Sequence, residues 1–165
     1  MREIFQADGP LVENDPTYVE RQADMDALRA ALNGEYLHVI APRQEGKTSL
    51  LKRLASKLGE MGWRCVYVDL SWLKDLHKSE WYTELGRELA YGFTPGNSPA
   101  LTNQIHLRRY LLYQALPWPD GPPRIALLLD EVEGVGKARD VDGKPFSDSF
   151  FMMLRGGPSG QGRAW

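Results

Sequence analysis

The sequence predicts an α/β fold of three layers, α/β/α, with a mostly parallel sheet. Short apolar segments alternate with longer amphipathic segments, which is typical of β-α-β units. A Gly-Lys-Thr loop joins one apolar segment to the next amphipathic one, and an acidic dipeptide ends a later apolar segment. Because polar residues at the carboxyl ends of parallel strands meet at one edge, the same features locate a candidate site.

The first amphipathic segment, residues 18–35, predicts a helix that begins near Ala23 or Asp24 and ends at Asn33-Gly34. Its expected apolar face consists of Met25, Leu28, Ala31 and Leu32. The later elements are predicted as a strand at 35–41, a helix at 47–58, a strand at 63–70, helices at 79–93 and 104–116, a strand at 124–131 and a helix at 146–155.

Composition and charge exclude several classes of protein. The 165 residues are 42% hydrophobic and 25% charged, which indicates a globular chain. Twenty basic and 22 acidic residues leave a net charge of -2 without a basic stripe, so we expect no nucleic-acid partner. The single cysteine, the absence of a signal-peptide pattern and the absence of a long apolar run predict a cytoplasmic protein without a membrane partner.

A phosphate-binding loop is predicted at residues 41–49, APRQEGKTS. A strand before it and a helix after it would point backbone N–H groups and a helix N-terminus at a phosphate. Lys47 would hold the outer phosphates of ATP and take part in catalysis, and Thr48 would hold Mg²⁺. The candidate ATP-binding residues of the loop are Ala41, Pro42, Arg43, Gln44, Glu45, Gly46, Lys47, Thr48 and Ser49.

An alanine replaces the first glycine of this pattern. Ala41 would cost roughly 1–2 kcal/mol in a left-handed conformation, and nothing if the backbone there is ordinary. Gly46 stands where the backbone approaches phosphate most closely, so the essential glycine is kept. Arg43 either reaches a phosphate or is a solvated side chain at the tip of the loop, and the sequence leaves both possibilities open.

The acidic residues after the segment IALLL supply the remaining candidate groups. Asp130 would lie at the carboxyl edge of the sheet and hold Mg²⁺, and Glu131 would act as general base toward the attacking water. Glu133 is a second candidate for the base. Acidic residues at the end of a buried strand often serve only to keep the protein soluble, so the functional interpretation depends on the preceding phosphate loop.

Three stretches carry a resemblance to the bacterial AAA-like ATPases of the STAND signal-transduction type: YVERQADMDAL, GEYLHVIAPRQEGKTSLL and LLLDEVEGV. In that family the first loop glycine is commonly replaced. The resemblance implies that Tyr18, Val19 and Arg21 lie near the adenine. Their structural alternative is a hydrophobic staple and a helix-entry contact.

The resemblance also sets the expected domain limits: an extended lead-in at 1–17, an incomplete P-loop NTPase domain at 18–154 and a flexible tail at 155–165. Related proteins carry further strands after the acidic one, including a strand between the loop strand and the acidic strand. No such strand is recognisable after Leu154, where the sequence is rich in glycine. We therefore expect the C-terminal strands to be missing, and nucleotide binding to be better supported than turnover.

The predicted function is that of an ATP-binding domain and slow Mg-dependent ATPase, acting as a nucleotide-dependent switch in signalling. Further domains or protein partners in a longer chain are expected. A nucleotide-gated scaffold without turnover is the first alternative. A nucleic-acid remodelling or replication-initiation ATPase and a small-molecule kinase are the others, but the sequence shows neither a DNA-binding helix pair nor an acceptor pocket.

Overall fold

A computed structural model describes residues 17–42, 44–97, 99–115, 124–137 and 147–155. Nearly all of the predicted lead-in and tail therefore lies outside the described residues, and so does Arg43. The helices are α1 (Gln22–Leu32), α2 (Lys47–Glu60), α3 (Lys78–Phe93), α4 (Gln104–Tyr110), α5 (Glu133–Lys137) and α6 (Ser147–Arg155). The strands are β1 (Arg64–Asp69) and β2 (Ile125–Asp130).

The sheet of the described residues has two strands, β1 and β2, which pair in parallel. The register sets Tyr67 opposite Leu128 and Asp69 opposite Asp130. Because side chains alternate along a strand, all four of these residues lie on one face of the sheet. The structure is thus a mixed α/β fold with a small parallel sheet.

Helices α2 and α3 pack against opposite faces of this sheet. Leu50, Leu54 and Leu58 of α2 are buried in a cluster that includes Leu128 of β2. On the other face, α3 packs so closely on β1 that a Cβ added at Gly92 would lie 2.2 Å from a methyl carbon of Val66. The larger of the two core clusters lies on this second face. Its bulkiest fully buried side chains are Trp81, Tyr82, Phe93, Tyr110 and Phe150.

Most of the predicted helices and two of the three predicted strands are confirmed, within a few residues at their ends. Two details of the helices differ from expectation. Met25 and Leu32 of α1 are about half exposed, because α1 buries Ala27 against α2 instead. The predicted helix at 104–116 changes to a π-helical turn at Leu111–Ala115.

The predicted strand at 35–41 is wrong. These residues form no regular secondary structure, and Ile40 is 83% exposed. A strand needs a neighbour for its backbone N–H and C=O groups, and none of the described segments lies beside this one as a strand. A cavity of about 570 Å³ lies between residues 34–41 and the free edge of β2. Apolar sequence alone therefore did not make this segment a strand.

Candidate nucleotide-binding site

The loop before α2 has the backbone conformation that its glycine allows. Gly46 is the N-cap of α2 and has φ 77°, a left-handed conformation that favours glycine. Gln44 also has a positive φ, of 63°. Ala41 is not among the described residues with positive φ, so its side chain causes no strain there. The alanine that replaces the first glycine is compatible with this loop.

The start of α2 has the character of an anion-binding helix terminus. Gly46 offers no side-chain acceptor to the first N–H groups, and the first turn contains no acidic residue. Both features leave the positive end of the helix dipole without a negative group from the cap or the first turn. Lys47, the first residue of α2, adds a positive charge and donates from Nζ to the backbone carbonyl of Ala41 at 3.1 Å.

The loop and the acidic strand meet at one hydrogen bond. Thr48 Oγ1 donates to Oδ2 of Asp130 at 2.6 Å, although 82 positions separate the two residues in sequence. Asp130 is only 5% exposed, and its other oxygen, Oδ1, accepts the backbone N–H of Glu131 at 3.0 Å. The first turn of α2 and the end of β2 thus meet at one carboxylate.

Tyr67 is a third partner of this carboxylate, which sequence reasoning missed. Its hydroxyl donates to Oδ2 of Asp130 at 2.9 Å. Burial raises the pKa of the Tyr67 phenol, and so does the hydrogen bond to the carboxylate, so the phenol stays protonated and remains a donor. The period-two alternation of β1, combined with its register against β2, would have indicated this contact.

The two candidate bases lie at the surface. Glu131 follows β2 with a φ of 51°, which is uncommon for a residue other than glycine. Its side chain is exposed, and so is that of Glu133 at the start of α5. Glu131 is therefore adjacent to the buried Asp130 while its own carboxylate faces solvent.

Arg21 ties the segment before α1 to the phosphate loop. Its Nη1 donates to the backbone carbonyl of Glu45 at 2.8 Å. Its guanidinium also lies 3.5 Å from the position that a Cβ on Gly46 would take. Arg21 and Arg53 both lie over the ring of Tyr18, at 5.8 and 4.1 Å from the ring centroid.

Asp24 anchors the same segment. Its carboxylate accepts hydrogen bonds from the Tyr18 hydroxyl and from the backbone N–H of Arg21, the latter at 2.8 Å. Burial raises the pKa of the Asp24 carboxyl, but these hydrogen bonds and the guanidinium of Arg21 outweigh it and leave the pKa below its usual value. The helix-entry contact considered for Tyr18 and Arg21 is therefore present, whereas Val19 is 77% exposed.

The cavity beside β2 opens onto this site. Lys47, Asp130 and Glu131 are among its lining residues, together with residues 34–41 and apolar side chains of α2, β2 and α6. The cavity is thus continuous with the place where the loop meets the carboxyl end of β2.

Part of the chain is similar to a known protein family. Residues 6–85, just under half of the chain, match the family model of the AAA-like domain. This match supports an AAA-like domain in the chain. An AAA-like domain in turn suggests a nucleotide-binding function.

The chain is also similar to part of a much longer protein. It is 28% identical over 162 residues to an uncharacterized WD repeat-containing protein of Synechocystis sp., and the alignment covers 92% of this chain but 13% of that protein. No solved structure gives a significant match. In the part of the chain that the structure describes, every helix is too short or too polar to cross a membrane.

The structure brings together some of the residues predicted for the site. Lys47, Thr48 and Asp130 converge, and Arg21 reaches the loop at Glu45. Gln44 and Pro42 are exposed on the loop, while Ser49 is buried in the first turn of α2. The loop before α2 and the carboxyl end of β2 therefore lie close together.

Proposed function

We propose that this chain is an ATP-binding P-loop domain that hydrolyses ATP slowly with Mg²⁺. The observation that carries the proposal is the 2.6 Å contact between Thr48 Oγ1 and Asp130 Oδ2. It joins the end of a glycine-lysine-threonine loop to a buried carboxylate at the carboxyl end of a parallel strand. Phosphate loops and acidic strands that work on nucleotides need this proximity.

Phosphate recognition is assigned to the loop and the start of α2. The uncapped helix terminus would donate backbone N–H groups to phosphate oxygens, and Lys47 would exchange its contact with the Ala41 carbonyl for a phosphate. A charged acceptor forms a stronger hydrogen bond with an ammonium group than a neutral carbonyl does. Nucleotide binding is therefore expected to displace the Lys47 side chain from the carbonyl.

The oxygen donors present suit Mg²⁺. A hydroxyl and a carboxylate are hard oxygen ligands, and magnesium prefers one or two such protein ligands together with phosphate oxygens and water. Thr48 and Asp130 are the residues that would hold it. When bound, Mg²⁺ would neutralise charge on the phosphates during transfer.

Hydrolysis is assigned to Glu131. Its carboxylate is adjacent to Asp130 and accessible to solvent, so it would accept a proton from the attacking water. Backbone strain of the kind seen at Glu131 concentrates at functional positions, which supports this role. Tyr18, Val19 and Arg21 are proposed to contact the adenine end, since Arg21 already touches the loop.

The proposed biological role is that of a nucleotide-dependent switch of the STAND type within a larger signalling protein. The partial match to a much longer WD repeat-containing protein supports this setting. A domain of this kind would transmit its nucleotide state to neighbouring domains or protein partners in the cytoplasm.

The direct test is calorimetric titration of ATP into the 165-residue chain, with Mg²⁺ and with EDTA, alongside its melting temperature. We expect saturable, Mg-dependent binding that raises the melting temperature. Thr48→Val, which removes the hydroxyl, should lose the Mg-dependent part of binding, whereas Thr102→Val on an exposed segment should not. A cooperatively melting chain that binds no ATP would refute the proposal.

A scaffold that binds nucleotide without turnover is the second candidate. It is favoured by one observation: among the described residues, the Glu131 carboxylate has no hydrogen-bond partner that would orient it. A general base works best when a further group fixes its position. Single-turnover hydrolysis by wild type and Glu131→Gln separates the two: hydrolysis by wild type that the variant loses while it still binds ATP supports the ATPase, and a wild type that binds ATP without hydrolysing it supports the scaffold.

A further inference from the structure

The carboxylate of Asp130 is held from three directions. Thr48 Oγ1 and the Tyr67 hydroxyl both donate to Oδ2, at 2.6 and 2.9 Å, and the backbone N–H of Glu131 donates to Oδ1. A carboxylate offers about four acceptor sites, so these donors leave roughly one of them open. These three hydrogen bonds therefore fix the orientation of the Asp130 carboxylate.

Tyr67 differs from the other two donors in where it comes from. Thr48 lies in the first turn of α2, and Glu131 is the next residue in the chain, but Tyr67 lies on the neighbouring strand. The β1–β2 ladder fixes its backbone opposite Leu128, two residues before the Asp69–Asp130 pair. The phenol thus reaches along the α2-facing side of the sheet to the carboxylate.

The ring of Tyr67 is held as well. It packs against the apolar cluster formed by α2 and the sheet, and the ammonium of Lys52 lies 5.4 Å from the ring centroid. A ring fixed by packing and a backbone fixed by the ladder leave the hydroxyl little freedom. This donor is built into the sheet and does not depend on the conformation of the loop.

We propose that Tyr67 is a positioning residue for the metal-binding carboxylate, which keeps Asp130 oriented toward Thr48 when Mg-ATP binds. The inference rests on the proposed function, and it deepens it by adding a residue that neither the loop pattern nor the acidic dipeptide contains. Groups that orient a metal ligand typically change metal affinity or activity 10–100-fold when removed. Tyr67 itself would touch neither ATP nor the metal.

The test is Tyr67→Phe, which removes the hydroxyl and keeps the ring. We expect the Mg²⁺ concentration needed for half-maximal ATP binding to rise about tenfold, while ATP binding in EDTA stays unchanged. The matched control is Tyr110→Phe. It also removes a tyrosine hydroxyl with a hydrogen bond, to Thr94 at 2.8 Å, but in the other core cluster. Its magnesium requirement should equal that of the wild type.

A second variant shows whether the effect passes through the carboxylate. In an Asp130→Asn background, Tyr67→Phe should cause no further change in the magnesium requirement, because the oriented group is already altered. An equal tenfold change in both backgrounds would overturn the positioning role.

The outcomes separate this inference from the proposed function. Wild type without Mg-dependent ATP binding refutes both. Wild type that binds Mg-ATP, together with a Tyr67→Phe variant whose magnesium requirement is within twofold of it, refutes the inference alone. Loss of the cooperative melt in Tyr67→Phe would also overturn it, since the hydroxyl would then be a contact of the fold.

Discussion

The guanidinium of Arg21 donates a hydrogen bond to the backbone carbonyl of Glu45 at 2.8 Å, across 24 positions of sequence. This contact joins the N-terminus of helix α1 to a loop in which Gln44 and Gly46 both have positive φ. Because the donor is charged, the bond is stronger than a neutral one. Arg21 therefore helps to hold the loop in its observed conformation.

Replacing Arg21 by alanine should loosen the phosphate loop. We expect ATP affinity to fall about fivefold, the equivalent of roughly 1 kcal/mol for one hydrogen bond of this type. Faster amide hydrogen exchange at residues 44–46 should accompany the loss. Arg29→Ala is the control, because the ion-pair partner of Arg29 among the described residues is exposed Asp26 on the same helix. Equal affinity for both variants would contradict the role given to Arg21.

The glycine before Lys47 should be irreplaceable. Gly46→Ala places a side chain at φ 77° beside the Arg21 guanidinium, which should lower the free energy of unfolding by about 1–2 kcal/mol. Because the added methyl group lies where the backbone would approach phosphate, the variant should also abolish detectable ATP binding. Gly59→Ala is the matched control, since Gly59 lies in helix α2 with no atom near its added Cβ. It should stabilise the fold by roughly 0.5–1 kcal/mol. Chemical denaturation and calorimetry would measure both effects, and a Gly46→Ala variant that binds ATP normally would count against the loop assignment.

Replacing Ala41 by glycine should leave the ATP affinity unchanged. Ala41 does not have a positive φ, so Ala41→Gly relieves no strain. We expect ATP affinity within about twofold of wild type, because no contact to the phosphate is gained. The same calorimetric titration measures it. A tenfold gain in affinity would show that the alanine does obstruct the loop.

The Asp24 carboxylate should make stability depend on pH. Its pKa in the folded state is lowered from 3.8. The contribution of the carboxylate to the free energy of unfolding is therefore fully present above pH 3.8 and is lost as the pH falls through the folded pKa. Asp24→Asn should cost about 1–2 kcal/mol of unfolding free energy at pH 7, and less below pH 3.8. Urea denaturation at pH 7 and below pH 3.8 measures this difference in unfolding free energy, and Asp26→Asn, at an exposed position, is the control. A cost independent of pH would exclude the charge as its cause.

The sequence predicted the elements whose periodicity is strong and local. Helix α2 and strands β1 and β2 follow from runs of apolar residues with clear ends. The segment at 35–41 has an equally good apolar run, but a strand exists only when a neighbour completes its backbone hydrogen bonds, and the run itself does not contain that information. Local pattern was therefore sufficient for helices and insufficient for this strand.

The same difference between local sequence pattern and tertiary contact holds for the candidate site. Lys47, Thr48 and Asp130 are recognisable from short patterns, whereas Tyr67 requires the register between two strands that are distant in sequence. The contact of Arg21 with the loop was not predicted, since the resemblance implied only that Arg21 lies near the adenine. Tertiary contacts between unlike elements are set by packing, and a single sequence does not specify them.

The proposed function depends most directly on Lys47. The decisive measurement is the ATP affinity of Lys47→Ala by calorimetry with Mg²⁺, beside the exposed control Lys74→Ala. We predict at least a tenfold loss for Lys47→Ala, about 1.4 kcal/mol or more, because a charge-assisted contact to phosphate is removed, and no change for the control. An unchanged affinity in Lys47→Ala would contradict the assignment of residues 41–49 as the phosphate-binding loop.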